Sequence, residues 1–394
     1  MRVVLFTGKG GVGKTTIAAG SAALAARRGL KTLVLSTDAA HSLADAFGVA
    51  VGAEPVEVDT GLFVQQVDAQ VRFEHSWREV QQYLLTVLDS VGVDSLAAEE
   101  LSVLPGAEEV LALLEVRDQV RSGRWDLVVV DCAPTAETLR LLALPELLGW
   151  YLDRMFPAER RVSRSLRPVL GRVAGLPMPQ EHVVDAVTRL HHELAEVREV
   201  LTDPQTSVRL VLTPEAVVVA EARRTLTSLS LFGYRVDGVV ANRVFPADGA
   251  DEWRAGWVAA QSAQLAEVES SFAPLPVLRA AYQAAEPVGS EALADLAEVV
   301  YGATDPFAPP PEQGPMTVER SGAEFVLSFV LPFADRSDLG LARTGDEIVL
   351  TVGSYRRVIA LPSALRRCTV IGASLRSGRL RIRFEPDPDL WMSL

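Results

Sequence analysis

The chain has 394 residues, more than one domain of roughly 100 to 200 residues needs, and its composition, 48% hydrophobic and 23% charged, suffices for a buried core. A net charge of −13 argues against nucleic-acid binding, which needs a basic footprint, and two cysteines, Cys132 and Cys368, exclude a disulfide framework and any zinc-ligand spacing. Met1–Thr7 lacks the features of a signal peptide and no apolar run reaches about 18 residues, so a cytoplasmic protein without an integral membrane segment is expected.

Short runs rich in branched aliphatics recur at Val3–Thr7, Thr32–Thr37, Leu127–Asp131, Val208–Thr213 and Val236–Ala241, and they read as strands buried on both faces. Thr15–Arg28, Glu108–Arg121 and Glu215–Leu231 read as the helices between them. The alternation predicts an α/β fold with a doubly wound, mostly parallel sheet. Two longer stretches, about 68–104 and 147–203, break the rhythm with apolar residues at helical spacing, as in Val183, Val187, Leu190, Leu194 and Val197. They predict an inserted helical subdomain, whose apolar stripe is either core-facing or a groove for a hydrophobic client.

This α/β domain is expected to span 1–302. A Pro-rich stretch inside 303–316 cannot continue a helix or a sheet and reads as a stiff linker. From 317 to 386 the runs Ala323–Leu331, Glu347–Val352, Arg356–Leu361, Val370–Leu375 and Leu380–Phe384 alternate apolar with polar between turn residues, which predicts a small all-β sandwich. Residues 387–394 form a short tail. Between Thr317 and Glu385, eleven Arg oppose seven Asp and Glu, a surplus of +4 that leaves −17 for the rest of the chain. Opposite signs favour docking of the small domain on the large one; a solvated arginine-rich surface is the competing reading.

Directly after the first strand stands Gly8-Lys9-Gly10-Gly11-Val12-Gly13-Lys14-Thr15, the Gly-x4-Gly-Lys-Thr pattern of a phosphate loop, followed by Thr16 and a helix. Glycines let backbone N–H groups converge on phosphate oxygens, and the helix start adds its positive dipole end. Lys14 is expected to neutralise the β- and γ-phosphates of ATP, and the Thr15 hydroxyl to ligate Mg2+. The chain contains only three lysines, Lys9, Lys14 and Lys31, and two of them lie in this loop. A compact ammonium fits among phosphate oxygens where a guanidinium fork does not. The four apolar residues before Asp131 mark it as the acid at a strand's carboxyl end that holds magnesium through water.

The second loop lysine, Lys9, identifies a deviant phosphate loop. The stretch Ser36-Thr37-Asp38-Ala39-Ala40-His41-Ser42-Leu43-Ala44-Asp45-Ala46-Phe47 resembles the first switch of the ArsA-type ATPases, a family that includes the eukaryotic factor targeting tail-anchored membrane proteins. Asp131-Cys132-Ala133-Pro134-Thr135-Ala136-Glu137-Thr138 resembles its second switch, with Cys132, Ala136 and Glu137 in place of Thr, Gly and His, and Ala39 stands where the family has proline. The resemblance extends over about residues 1–302 and includes Pro105–Glu109; residues 317–386 are similar to the α-crystallin-type domain carried by some members. It implies that Lys9 crosses a homodimer interface to the partner's nucleotide, that Asp38 orients or deprotonates the attacking water, that His41, Pro134 and Thr135 belong to the switches, and that Asn242 reads adenine.

On these grounds the expected protein is a dimeric Mg-ATP switch that binds and releases a hydrophobic or membrane-protein client. Two other readings stand beside it. An arsenite efflux ATPase needs clustered thiols for a soft ion, which Cys132 and Cys368 in separate domains do not offer. A positioning ATPase needs a basic DNA face or a terminal amphipathic helix, and the tail here is short and acidic. The Cys-x-x-Cys pair that holds an interface zinc in the eukaryotic factor is absent from this chain.

Overall fold

The computed structural model describes residues 1–38, 42–67, 107–132, 181–310 and 314–390. Eight strands form the main sheet in the order β3-β4-β2-β5-β1-β6-β7-β8. They are β1 (Arg2–Thr7), β2 (Thr32–Ser36), β3 (Val56–Asp59), β4 (Leu62–Gln66), β5 (Leu127–Asp131), β6 (Thr206–Leu212), β7 (Val236–Val244) and β8 (Val277–Ala281). All pair in parallel except β3, which runs antiparallel at the edge beside β4. Strands β1, β2, β5 and β6 are buried along their whole length, which is why they read as predominantly apolar runs. The expected α/β class is therefore the observed one.

Seven helices accompany this sheet among the described residues: α1 (Lys14–Arg27), α2 (Ser42–Phe47), α3 (Ala107–Arg121), α4 (Glu181–Thr202), α5 (Ala216–Phe232), α6 (Glu252–Phe272) and α7 (Ser290–Tyr301). Helix α1 is rich in alanine and runs buried from Ile17 to Ala25. Its small side chains allow close approach: a Cβ on Gly20 would lie 2.7 Å from the Leu293 carbonyl oxygen of α7.

The expected insertion at 68–104 lies outside the described residues, as does 147–180. From 181 onward the second insertion is the helix α4, where Leu194, Val197 and Leu201 are buried, with Val197 and Leu201 in the main core. Arg117 and Arg121 of α3 both pair with Glu196 of α4. This stretch of the apolar stripe thus faces the core.

Two antiparallel sheets follow the linker, one ordered β14-β15-β10-β9 and the other β11-β12-β13. Their strands are β9 (Met316–Ser321), β10 (Glu324–Val330), β11 (Leu339–Thr344), β12 (Glu347–Val352), β13 (Tyr355–Ala360), β14 (Cys368–Arg376) and β15 (Arg379–Pro386), with a single helical turn, α8, at Ser363–Arg366. Leu327, Phe329, Leu380, Ile382 and Phe384 from the first sheet meet Ile348, Leu350 and Ile359 from the second in one core. Alternate residues of β15 are buried and exposed, the period of a sheet with one face in the core.

The sandwich is docked on the end of α5. The Leu231 side chain belongs to the sandwich core, its carbonyl accepts from the buried Arg357 guanidinium, and the Thr227 hydroxyl donates to the Pro332 carbonyl. Phe272 at the end of α6 packs edge-on against Phe333, ring centroids 5.9 Å apart.

Candidate nucleotide site

The phosphate loop leaves β1 at Thr7, and its glycines answer to particular neighbours. A Cβ on Gly8 would lie 2.1 Å from the Val211 carbonyl oxygen of β6, so only glycine lets the loop leave between two strands. Gly13 has φ +89, and a Cβ there would sit 2.3 Å from Asn242 Nδ2. At the crest, Gly10 and Gly11 are exposed, and a Cβ on either would meet nothing within 4 Å. Gly13 also caps α1 without any side-chain hydrogen bond, which leaves the first N–H groups of that helix to an external acceptor. Val12, between the exposed crest and Gly13, is buried and anchors the loop.

The two loop lysines differ sharply. Lys14 is buried, and its ammonium donates to the Lys9 carbonyl at 3.3 Å, so it closes the loop on itself. Lys9 is about half-exposed, with its ammonium 3.8 Å from the Glu221 carboxylate of α5. A pair that long and that solvated holds the side chain weakly.

Thr15, on the first turn of α1, donates its hydroxyl to Asp131 Oδ2 at 2.7 Å. Asp131 ends β5 and is 1% exposed; its Oδ1 has no hydrogen-bond partner among the described residues. Burial pushes its carboxyl up to about 6, against the Thr15 hydrogen bond and the Lys14 ammonium, while the Asp38 carboxylate adds to the rise. A buried carboxylate with one orphaned oxygen beside a threonine hydroxyl is a set of hard oxygen donors, which suits a magnesium ion or its bound water. Thr16 faces a cavity of about 390 Å3 that Gly13, Asn242, Tyr282 and Pro287 also line.

Asn242 was expected beyond a strand ending at Ala241. Instead β7 continues through it to Val244, and the side chain is buried. Its Nδ2 donates to the Val12 carbonyl at 2.8 Å and its Oδ1 accepts from the Arg243 N–H at 2.9 Å. The amide thus ties the phosphate loop to β7 and still keeps a second N–H and a second lone pair at the rim of that cavity.

Asp38 follows β2 and is half-buried. Its N–H donates to Ser36 Oγ at 3.1 Å, and its carbonyl accepts from Gln66 Nε2 at 2.7 Å. Asp38, Thr15, Lys14 and Asp131 are therefore brought to the carboxyl edge of the sheet around the phosphate loop. His41, Pro134 and Thr135, with Ala39, Ala136 and Glu137, lie outside the described residues. Cys132 is fully buried, with its thiol pushed up by burial and by the neighbouring Asp131, which makes it an inert packing residue.

Sequence reading missed Ser36, Gln66 and Glu221. Gln66 and Glu221 belong to no motif and Ser36 only opens the switch-like stretch; each is at the site because strand register or a helix face brings it there. Among the described residues no group of three or more His, Cys, Asp or Glu is placed to hold a metal by itself, and no helix is long and apolar enough to cross a membrane.

Comparison with known proteins adds a family. The family model for anion-transporting ATPases matches residues 1–302, and that of an HSP20-like domain found in ArsA matches 322–384. An uncharacterised protein of Streptomyces coelicolor is 42% identical over 99% of both chains. A Chlorobaculum tepidum protein named "putative arsenical pump-driving ATPase" is 36% identical over 98% of this chain and 96% of its own. The ATPase get3 of Aspergillus terreus is 28% identical over 79% of this chain and 92% of its own.

Proposed function

The chain belongs to the ArsA-type anion-transporting ATPase family and hydrolyses ATP, and on that premise we propose that it is a magnesium-dependent homodimeric switch that binds and releases a hydrophobic client in the cytoplasm. The observation that carries the dimer is Lys9. Its twin Lys14 is buried and turned in on its own loop, whereas Lys9 stands at the surface in a loose pair, beside a groove of about 770 Å3 lined by Val218, Phe245, Trp257 and Tyr282. A second copy bringing nucleotide against that surface would draw Lys9 away from Glu221 at little cost.

Within one subunit, the N–H groups from Gly10 to Lys14 cradle the phosphates and the Lys14 ammonium neutralises the β- and γ-oxygens. Thr15 and Asp131 would hold magnesium, which when bound draws charge off the same oxygens. Asp38 orients the attacking water and accepts its proton; hydrolysis of this kind rests mainly on positioning and charge. Asn242 presents its free N–H and lone pair to the base in the 390 Å3 cavity.

An arsenite-handling role is the second reading, favoured by the names that several relatives carry. Its chemistry is poorly served here. The chain's two thiols are both buried, Cys132 in the large core and Cys368 in the small one, and a soft metalloid needs several thiolates together.

The test is the mass in solution with magnesium plus ADP or a non-hydrolysable ATP analogue, for the wild type, Asp38→Asn and Lys9→Ala. A dimer that forms or tightens with the ATP analogue and is lost in Lys9→Ala supports the switch. A monomer in every state removes it and leaves an ATPase without an intersubunit mechanism.

A further inference from the structure

The end of β4 carries a residue with no place in any nucleotide motif, Gln66. In the parallel register Gln66 is level with Ser36 of β2, and Ser36 is level with Asp131 of β5, so the three stand in one row at the carboxyl edge of the sheet. Register neighbours of parallel strands point to the same face. Ser36 Oγ is 3.5 Å from Asp131 Oδ2, which places this row directly beside the Thr15–Asp131 pair.

Gln66 is 3% exposed. Its backbone is held independently of its side chain: the N–H donates to the Gly52 carbonyl at 2.9 Å, and the next residue, Val67, donates to the Ser36 carbonyl at 3.1 Å. The side chain makes a single hydrogen bond among the described residues, Nε2 to the Asp38 carbonyl at 2.7 Å, while Oε1 is buried without a partner. Burying half an amide unpaired is unfavourable, so in packing terms an apolar side chain of the same size would serve this position better. What the amide supplies, and an apolar group could not, is the grip on Asp38. With Ser36 Oγ accepting the Asp38 N–H on the other side, the Asp38 peptide is fixed at both its donor and its acceptor.

We propose that Gln66 is a positioning residue of ATP hydrolysis, which holds the Asp38 peptide so that the carboxylate stays aimed at the phosphate loop. The inference rests on the reading of Asp38 as the group that orients the attacking water. Gln66 touches neither nucleotide nor magnesium in this scheme; it acts through Asp38 alone.

Gln66→Met keeps length and volume and removes the donor. It is measured together with Asp38→Asn and the double variant, by single-turnover ATP cleavage, equilibrium binding of a fluorescent ATP analogue, and thermal unfolding; should Gln66→Met be insoluble, Gln66→Leu is read in the same way. In Gln66→Met, cleavage falls about tenfold to a hundredfold, as misplacement of a reacting group does, while affinity stays within about twofold. In the Asp38→Asn background the same change adds nothing, because both variants remove one function. Cleavage at the wild-type rate in Gln66→Met, an equal fall in both backgrounds, or a parallel fall in affinity overturns the assignment. Asp38→Asn at the wild-type rate instead overturns the reading of Asp38 itself, an outcome that does not depend on how Gln66→Met behaves.

Discussion

The two edges of the main sheet are built on opposite principles. At the amino edge, Asp237 of β7 accepts four hydrogen bonds, one from Arg2, one from Ser207 and two from Arg209. Arg209 also donates to the Tyr301 hydroxyl at the end of α7 and to the Pro306 carbonyl in the linker region. The main acceptor of this network is saturated, while Arg2 Nε is buried without a partner among the described residues. At the carboxyl edge, Asp131 Oδ1 and Gln66 Oε1 are buried without partners among the described residues and the start of α1 has no side-chain cap. At the amino edge the buried carboxylate is matched to its donors; at the carboxyl edge the buried Asp131 carboxylate is left incomplete. Unmatched buried polar groups lower stability, so the contrast marks which edge of the sheet is given to chemistry.

The largest effect expected from breaking this contrast is at the amino edge. Asp237→Ala strands two buried guanidinium groups, and urea unfolding should report a loss of about 3–5 kcal/mol. The folded fraction should still bind nucleotide with near wild-type affinity, because no contact of Asp237 reaches the phosphate loop.

Asp131→Asn should do the reverse. Turnover falls on the order of a hundredfold, the usual cost of losing one preorganised electrostatic group, while the nucleotide-free protein at pH 8 is at least as stable as the wild type. The sign follows from the raised carboxyl. Folding lifts it from about 3.8 to about 6, so the native state binds this proton more readily than the unfolded chain, and the Asp131 contribution to stability falls as pH rises between those values. Thermal unfolding of the two proteins should therefore differ most above about pH 6 and converge below about pH 4. A gap that widens toward acid contradicts the assignment.

Smaller effects sharpen the comparison at the sandwich. Arg357→Met removes the donor to the Leu231 carbonyl, and at about 1–3 kcal/mol for a buried acceptor left unpaired it should expose the linker to limited proteolysis before the main sheet unfolds. Lys9→Ala is the mildest. Its 3.8 Å, half-exposed pair with Glu221 contributes about 0.5 kcal/mol or less, so stability should be unchanged while the ATP-dependent dimer is lost.

The contrast between the edges also separates what could be read in advance from what could not. Gly8–Thr15 was legible because such a loop is local: strand, glycine turn and helix start are consecutive, and each residue type is demanded by its immediate backbone; the hydrogen bond from Thr15 to Asp131 joins distant residues and was not. The buried runs of β1, β2, β5 and β6 were legible for a similar reason, since strands covered on both faces are mostly apolar, with polar residues such as Arg2, Ser207 and Arg209 toward their starts. Strands β3, β4 and β8 escaped notice because edge and near-edge strands mix polar with apolar residues, as Val56–Asp59 and Leu62–Gln66 do. The strand was ended at Ala241 because a polar residue after an apolar run reads as an ending, whereas β7 carries Asn242 inward to the Val12 carbonyl.

By itself, then, the sequence determined the α/β class, the glycine-rich loop between β1 and α1, the acid at the end of β5 and the family resemblance, all of which reside in contiguous residues whose local geometry is nearly obligatory. The tertiary structure alone decided that Gln66 grips Asp38, that Arg2 and Arg209 share Asp237, that Lys14 closes its loop while Lys9 faces outward, and that the sandwich is seated on Thr227 and Leu231. Apart from the contact between Lys14 and Lys9 inside the loop, each of those pairs residues far apart in the chain. Strand order and register choose such partners, and both emerge only when the whole sheet is buried at once.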